Sequence, residues 1–472
     1  MEAPSTEPVL GSRLNGTWRY FNPGMLIAAL LAANGIAGAW TVAMGTPGVD
    51  FYHYWVVPQA VRSGKYPNVY SAECRRRIGF DYGSRAHEMK VSAREQAAAV
   101  LSYKADERSL ETVATPFLFT VFGESATGNY DRDYARFVAL SLGSYVLAIF
   151  IMGRLFGFEM GWILALIALL TRWFEPFESE LRVGNVNSLQ LAALALFLWL
   201  QSKSRWPSSD LLAGLVLGVA ALFKPVLLPV VCAVVVVQLA GRRFEQCARM
   251  VGGATIGALV GFLWSGMYFG TARCWSQWLG ALREVLGSGR RVEEGNLGLA
   301  RLSFELAGVD LSVALLVTAV SVFVAALWFG RRRHLAVRRT RDSEIVSATP
   351  DKLSRTLLGI GSGICVTLLS SRLVWYHYYI LLLPALMYYL RPTAPAAGIS
   401  GRRSLERVSA AAVVFLLTPL AHLLVQEASP HLHPVLVSLT AAVAFLLCLF
   451  DARDIPGKNV LQEASPTAGE YT

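Results

Sequence analysis

Apolar runs about twenty residues long recur from Met25 to Phe450, most of them separated by only short polar interruptions. A run of that length is what an α-helix needs to cross a hydrocarbon core of roughly 30 Å. A chain that repeats it from end to end has one economical solution, a single membrane-embedded bundle in place of about three soluble domains. Composition agrees, since 54% of the 472 residues are hydrophobic and 16% are charged, a balance that a water-soluble surface cannot easily use up. The expected fold class is an all-α polytopic membrane protein.

Read for such runs, the chain is expected to cross near 24–44, 134–153, 156–171, 186–201, 209–222 and 225–240. Further spans are expected near 249–269, 309–329, 354–371, 376–390, 408–425 and 434–450, about twelve in all. The third, fifth and tenth are short, as is tolerated where a segment is buried against other helices. The net charge of +10 does not advertise nucleic acid, because most basic residues mark the ends of apolar runs. The expected partners are membrane lipids, and no nucleic acid.

Arg154, Lys203 and Arg205, "GRRFEQCAR", "GRRRHLAVRRTR" and Arg402, Arg403 and Arg407 fall in alternate gaps, which the positive-inside rule assigns to the cytoplasm. Both tails, 1–23 and 451–472, share that side, the latter with the composition of a disordered end. The opposite gaps include two long outer loops, 45–133 and 270–307. Within the first, 85–112 is rich in helix formers and is expected to form a surface helix. No cleavable signal is evident, because the first run is long enough to span. None of the six cysteines has metal-binding spacing, and whether Cys74 pairs with Cys274 stays open.

Four stretches put polar groups at the outer boundary. In "GVDFYHYWVVPQAV", Asp50 sits among Tyr52, His53, Tyr54 and Trp55. An interfacial aromatic belt explains the rings, whereas a carboxylate beside apolar surface suits a general base; simple hydration of the carboxylate is the alternative. "EPFESELRVGNVN" crowds Glu175, Glu178, Glu180, Arg182, Asn185 and Asn187 at one edge, where a helix N-terminus can hold a phosphate or an Asn can merely cap it. In "ALFKPVLLP" Lys224 precedes a proline that explains a hairpin but does not require the lysine, which either snorkels or meets a lipid phosphate. "SSRLVWYHYYILLLPAL" carries Arg372, Tyr376 and His377. Arginine suits phosphate through its planar donors, and His377 can bridge donor and acceptor, although a lone membrane-edge histidine is ordinarily a packed or hydrated ring. From "VEEGNLGLAR" only Asn296 is retained as a candidate contact. There is no Walker loop, Rossmann glycine pattern, HExxH or GxSxG, so an enzyme with this site needs an activated substrate delivered in the membrane.

In this order, "VDFYHYW" with "GKYPNVY", "GNVNSLQLAALAL", "GLVLGVAALFKPVLLPVV" and "WYHYYILLLPAL" resemble glycosyltransferase family 87, polyprenyl-phosphate-mannose-dependent mannosyltransferases of the GT-C membrane class. The likeness runs from Gly48 to Leu390. It implies a GT-C fold over 24–450 with a large first outer loop, in a bacterial inner membrane with the active site facing the periplasm. It further implies inverting transfer of a hexose, most simply mannose, from a polyprenyl phosphate to a lipid-linked or envelope glycan, with no cofactor and no metal. By the resemblance Asp50 is the base, Lys224 meets the leaving phosphate, and His377 is the late histidine. Arg182, Asn185, Asn187 and Arg372 join Lys224 as candidates for the donor phosphate. Tyr52, His53, Tyr54, Glu178, Asn296 and Tyr376 are candidate substrate contacts. One departure is Asn185 where many relatives carry glutamine, which leaves the donor sugar open. Two rival readings remain, a transporter or flippase of lipid-linked sugars and a non-catalytic envelope scaffold.

Overall fold

The structure, a computed structural model, describes residues 23–88, 91–102, 110, 114–203, 208–288, 296–340, 352–392, 400–428 and 432–452. Among them every regular element is helical. The helices Pro23–Met44, Tyr130–Leu155, Met160–Arg172, Asn187–Ser202, Ser208–Phe223, Phe244–Tyr268, Ser312–Thr340, Lys352–Ser370 and Leu432–Ala452 fall on the expected apolar runs. Two more runs begin with a 3-10 turn before the α-helix: Pro225–Leu227 before Leu228–Ala240, and Tyr376–Leu382 before Leu383–Leu390. By length and composition five described helices can cross a membrane, or six if Met160–Arg172 and Glu175–Val183, bent by 56°, form one broken span. Ser208–Phe223, Pro225–Ala240 and Val435–Phe450 are apolar but shorter.

Two expectations are corrected. The run 408–425 is not one helix: it is divided into Ser400–Leu416 and Pro419–Ala428, because Pro419 has no amide hydrogen and is at home at a helix start. At the break the Leu417 carbonyl accepts the Glu175 amide, 3.0 Å away. The surface helix expected over 85–112 is likewise two helices, Ala72–Glu88 and Ala93–Ser102, with 103–109 outside the described residues. The tails, the Arg290–Glu294 stretch and 341–351 also lie outside them, apart from the innermost tail residues.

Lys352–Ser370 is buried on nearly all sides, as an all-round apolar helix must be, and forms the central post of the bundle. Peripheral helices show the inverse. Leu26, Ile27, Leu30 and Leu31 on the first helix, and Ile256, Leu259, Val260, Leu263 and Met267 on Phe244–Tyr268, are exposed in long stripes of the kind that lipid covers in a membrane protein. Ser208–Phe223 and Phe244–Tyr268 approach closely through small residues. A Cβ on Gly214 or Gly218 would collide with the Met250 or Ala254 carbonyl, and one on Gly253 with that of Leu211. This is the small-xxx-small spacing through which membrane helices touch backbone to backbone.

Candidate active site

Antiparallel packing brings Asp50, Asn185, Lys224 and His377 to one end of the bundle. Each lies just beyond the end of a long helix: after Pro23–Met44, before Asn187–Ser202, after Ser208–Phe223 and after Lys352–Ser370. Two left-handed glycines aim the first two. Gly48 (φ 71°) precedes the helix Val49–Arg62, and Gly184 (φ 72°) closes Glu175–Val183. Both lie against one ring. A Cβ on Gly48 would run into Tyr134, and one on Gly184 would come 3.4 Å from the same Tyr134 Cε2 and 2.8 Å from Phe51 Cβ. The Tyr134 hydroxyl donates toward the Ala43 carbonyl (3.1 Å) and lies 3.3 Å from that of Leu181. The chain before Asp50 and the chain before Asn185 are thereby fixed to the same post.

Asn185 is buried and joins the other two. Its Nδ2 donates to Asp50 Oδ2, while its Oδ1 accepts from Lys224 Nζ at 2.7 Å and from the Val186 amide at 2.7 Å. The amide's two ends match the charges they face, which fixes its orientation. Asp50 and Lys224 are half-buried. The Lys224 ammonium also lies 4.5 Å from the centroid of the Tyr378 ring, a cation–π distance. His377 is buried against Tyr378, ring centroids 5.1 Å apart, and its backbone carbonyl accepts from Asn187 Nδ2 at 3.1 Å. Gln190 Nε2 holds the turn from below through the Ala220 carbonyl at 3.2 Å and the Lys224 carbonyl at 3.4 Å.

At this helix N-terminus two of the donors that a phosphate would use are already taken. The Ser188 amide donates to Glu180 Oε1 at 2.8 Å and the Val186 amide to Asn185 Oδ1, so the chain's own side chains already satisfy those donors. Glu180 was visible in the acidic stretch, but its pairing with an amide eight residues later was not.

Several candidates sit elsewhere. Arg182 faces away from the centre and pairs with Glu175 at 2.6 Å and Glu178 at 3.2 Å. Beside them Tyr376 stacks on His433 with centroids 5.7 Å apart, and His433 contacts His422 through ring nitrogens 2.8 Å apart. Arg372 pairs with Asp310, and Asn296 pins the Arg372 carbonyl (2.7 Å) and the Val374 and Gly298 amides (both 3.0 Å). Tyr52 and Tyr54 are buried. Tyr52 packs on Trp55 and Tyr130, Tyr54 stacks on Phe122, and His53 is half-buried on the same helix. Cys74 and Cys274 are both free thiols, and burial pushes the Cys274 thiol up to about 11, which keeps it inert. No described group of three or more His, Cys, Asp or Glu side chains is placed to hold a metal ion.

The model of glycosyltransferase family 87 matches residues 115–349, about half of the chain. The chain belongs to that family. Asn185, Asn187, Lys224 and Asn296 lie inside the matched stretch, and Asp50 and His377 outside it. A curated relative, the alpha-(1->3)-arabinofuranosyltransferase of Corynebacterium glutamicum, is 39% identical over 98 residues. That alignment covers 20% of this chain and 22% of the relative. No solved structure matches the chain.

Proposed function

We propose that this family 87 protein is an inverting membrane glycosyltransferase that moves a sugar from a polyprenyl phosphate to a lipid-linked or envelope glycan. The observation that carries the reading is the Asn185 amide placed between a carboxylate and an ammonium. A base and a cation suited to phosphate are held one amide apart, close enough to serve a single displacement. In the reaction Asp50 takes the proton of the acceptor hydroxyl and the oxygen attacks the anomeric carbon. The bond from that carbon to the phosphate oxygen breaks on the opposite face. Lys224 stabilises the charge gathering on the leaving phosphate, and His377 lies beside the reacting groups. The lipid tail of the donor stays in the bilayer.

The sugar is proposed to be a hexose, mannose first, on the strength of the motif likeness. The name of the Corynebacterium relative favours a second reading, an arabinofuranosyl donor. About twelve crossings are proposed on the apolar runs, cytoplasmic termini and an outward-facing site on the distribution of basic residues, and a bacterial inner membrane with the site toward the periplasm on the family likeness. No metal is assigned a role. A transporter would need polar groups through the full depth of the membrane. The buried middle of Ser208–Phe223 offers Ala213, Gly214, Leu217 and Gly218, and that of Lys352–Ser370 runs through Leu358, Ile360 and Ile364 with a single hydroxyl, Ser362, and no charge among them. The test is transfer of labelled sugar by the purified protein to membrane glycolipids, from polyprenyl-phosphate-mannose and from polyprenyl-phosphate-arabinofuranose in parallel. Incorporation from either identifies the donor, and incorporation from neither, with donor bound, refutes transferase activity toward these donors.

A further inference from the structure

Glu180 is a carboxyl group at the centre to which the proposed reaction gives no task. Its side chain is 1% exposed. Oε1 accepts the Ser188 amide at 2.8 Å, whereas Oε2 is buried with no hydrogen-bond partner among the described residues. A helix cap needs only one oxygen and can be neutral, as Ser, Thr and Asn caps are. The charge and the second oxygen therefore call for another explanation. Glu180 adjoins the pair through Asn185, whose backbone amide donates to the Glu180 carbonyl at 3.1 Å and whose side chain holds Asp50 and Lys224. The centre thus sets two carboxyl groups against one ammonium before any phosphate arrives.

That imbalance weakens phosphate binding, but not equally for substrate and product. A polyprenyl-phosphate sugar is a phosphodiester with one negative charge. The polyprenyl phosphate left behind is a monoester with up to two, and Coulomb repulsion scales with that charge. We infer that Glu180 is a positioning residue that acts through Lys224, setting its hold on phosphate so that the spent lipid phosphate is expelled more readily than the donor. The inference rests on the transferase reading above. It adds a task for this carboxylate, product release, that is separate from proton removal at Asp50.

The test measures binding of polyprenyl monophosphate and of polyprenyl-phosphate-mannose to the full-length protein in nanodiscs. Glu180→Gln keeps an oxygen for the Ser188 amide and removes the charge. It is expected to tighten the monophosphate about tenfold and the sugar diester about threefold, with turnover limited by release. Glu180→Asp, which keeps the charge, is expected to bind both close to wild type even if it melts earlier. Equal or weaker monophosphate binding by Glu180→Gln overturns the inference and reduces Glu180 to a helix cap. So does equal tightening of both lipids. Failure of the transferase reading shows differently: wild type then binds donor but passes no labelled sugar to glycolipid, whatever Glu180→Gln does to binding.

Discussion

The two ends of the helix Ser208–Phe223 use a lysine and an aspartate in opposite ways. At one end Asp210 accepts Lys352 Nζ at 2.6 Å and meets Arg249 at 3.3 Å. At the other, about 21 Å along the axis, Lys224 and Asp50 do not touch and Asn185 stands between them. Lys352 and Arg249 both close on Asp210, so its charge is spent within the protein, which is what a clamp between helices requires. Removing one partner of such a pair is costly because it strands the other. The spaced pair leaves each charge available to something else. Buried charge near a membrane is thus informative about function when its partners are incomplete, and about architecture when they are closed.

Substitutions at the two ends should therefore fail differently. Asp50→Asn should reduce transfer about 10³-fold with the melting temperature of the detergent-solubilised protein unchanged, and equal losses in both would merge the two classes of site. Lys352→Met should destabilise by about 3 kcal/mol, read by thermal unfolding, while transfer per folded molecule stays at wild type. Asn185→Ala should cost about 10²-fold in turnover by releasing the base and the lysine from their shared anchor, and donor binding measured alongside should change less than turnover. Gly184→Ala should cost about 1 to 2 kcal/mol of strain at φ 72°, with a loss of transfer smaller than that of Asn185→Ala.

Much of this was legible in the sequence because lipid imposes a one-dimensional rule: a long enough apolar run is a helix, and the polar residues at its ends mark the surface. Asp50 could be singled out because an aromatic belt did not explain it and Lys224 because its proline did not require it, whereas His377 was picked out by the resemblance. The meeting of Asp50 and Lys224 through Asn185 could not, since Asp50 and Asn185 are 135 positions apart and packing against Tyr134 and Phe51 brings their chains together. The division of 408–425 did have a signal, Thr418 followed by Pro419, a helix-start pattern masked by continuous hydrophobicity. Arg182 shows the reverse error of scale. It is close to Asn185 in sequence, but the i, i+3, i+7 spacing of Glu175, Glu178 and Arg182 turns them to one face of their helix while Glu180 turns inward.

The most direct test of the central claim is single-turnover transfer from a bound polyprenyl-phosphate sugar by wild type and Asp50→Asn, with donor occupancy measured on the same samples. The account predicts that both proteins bind donor and only wild type transfers. Transfer by Asp50→Asn at the wild-type rate would contradict it, because the carboxylate that Asn185 holds beside Lys224 would then not be the base.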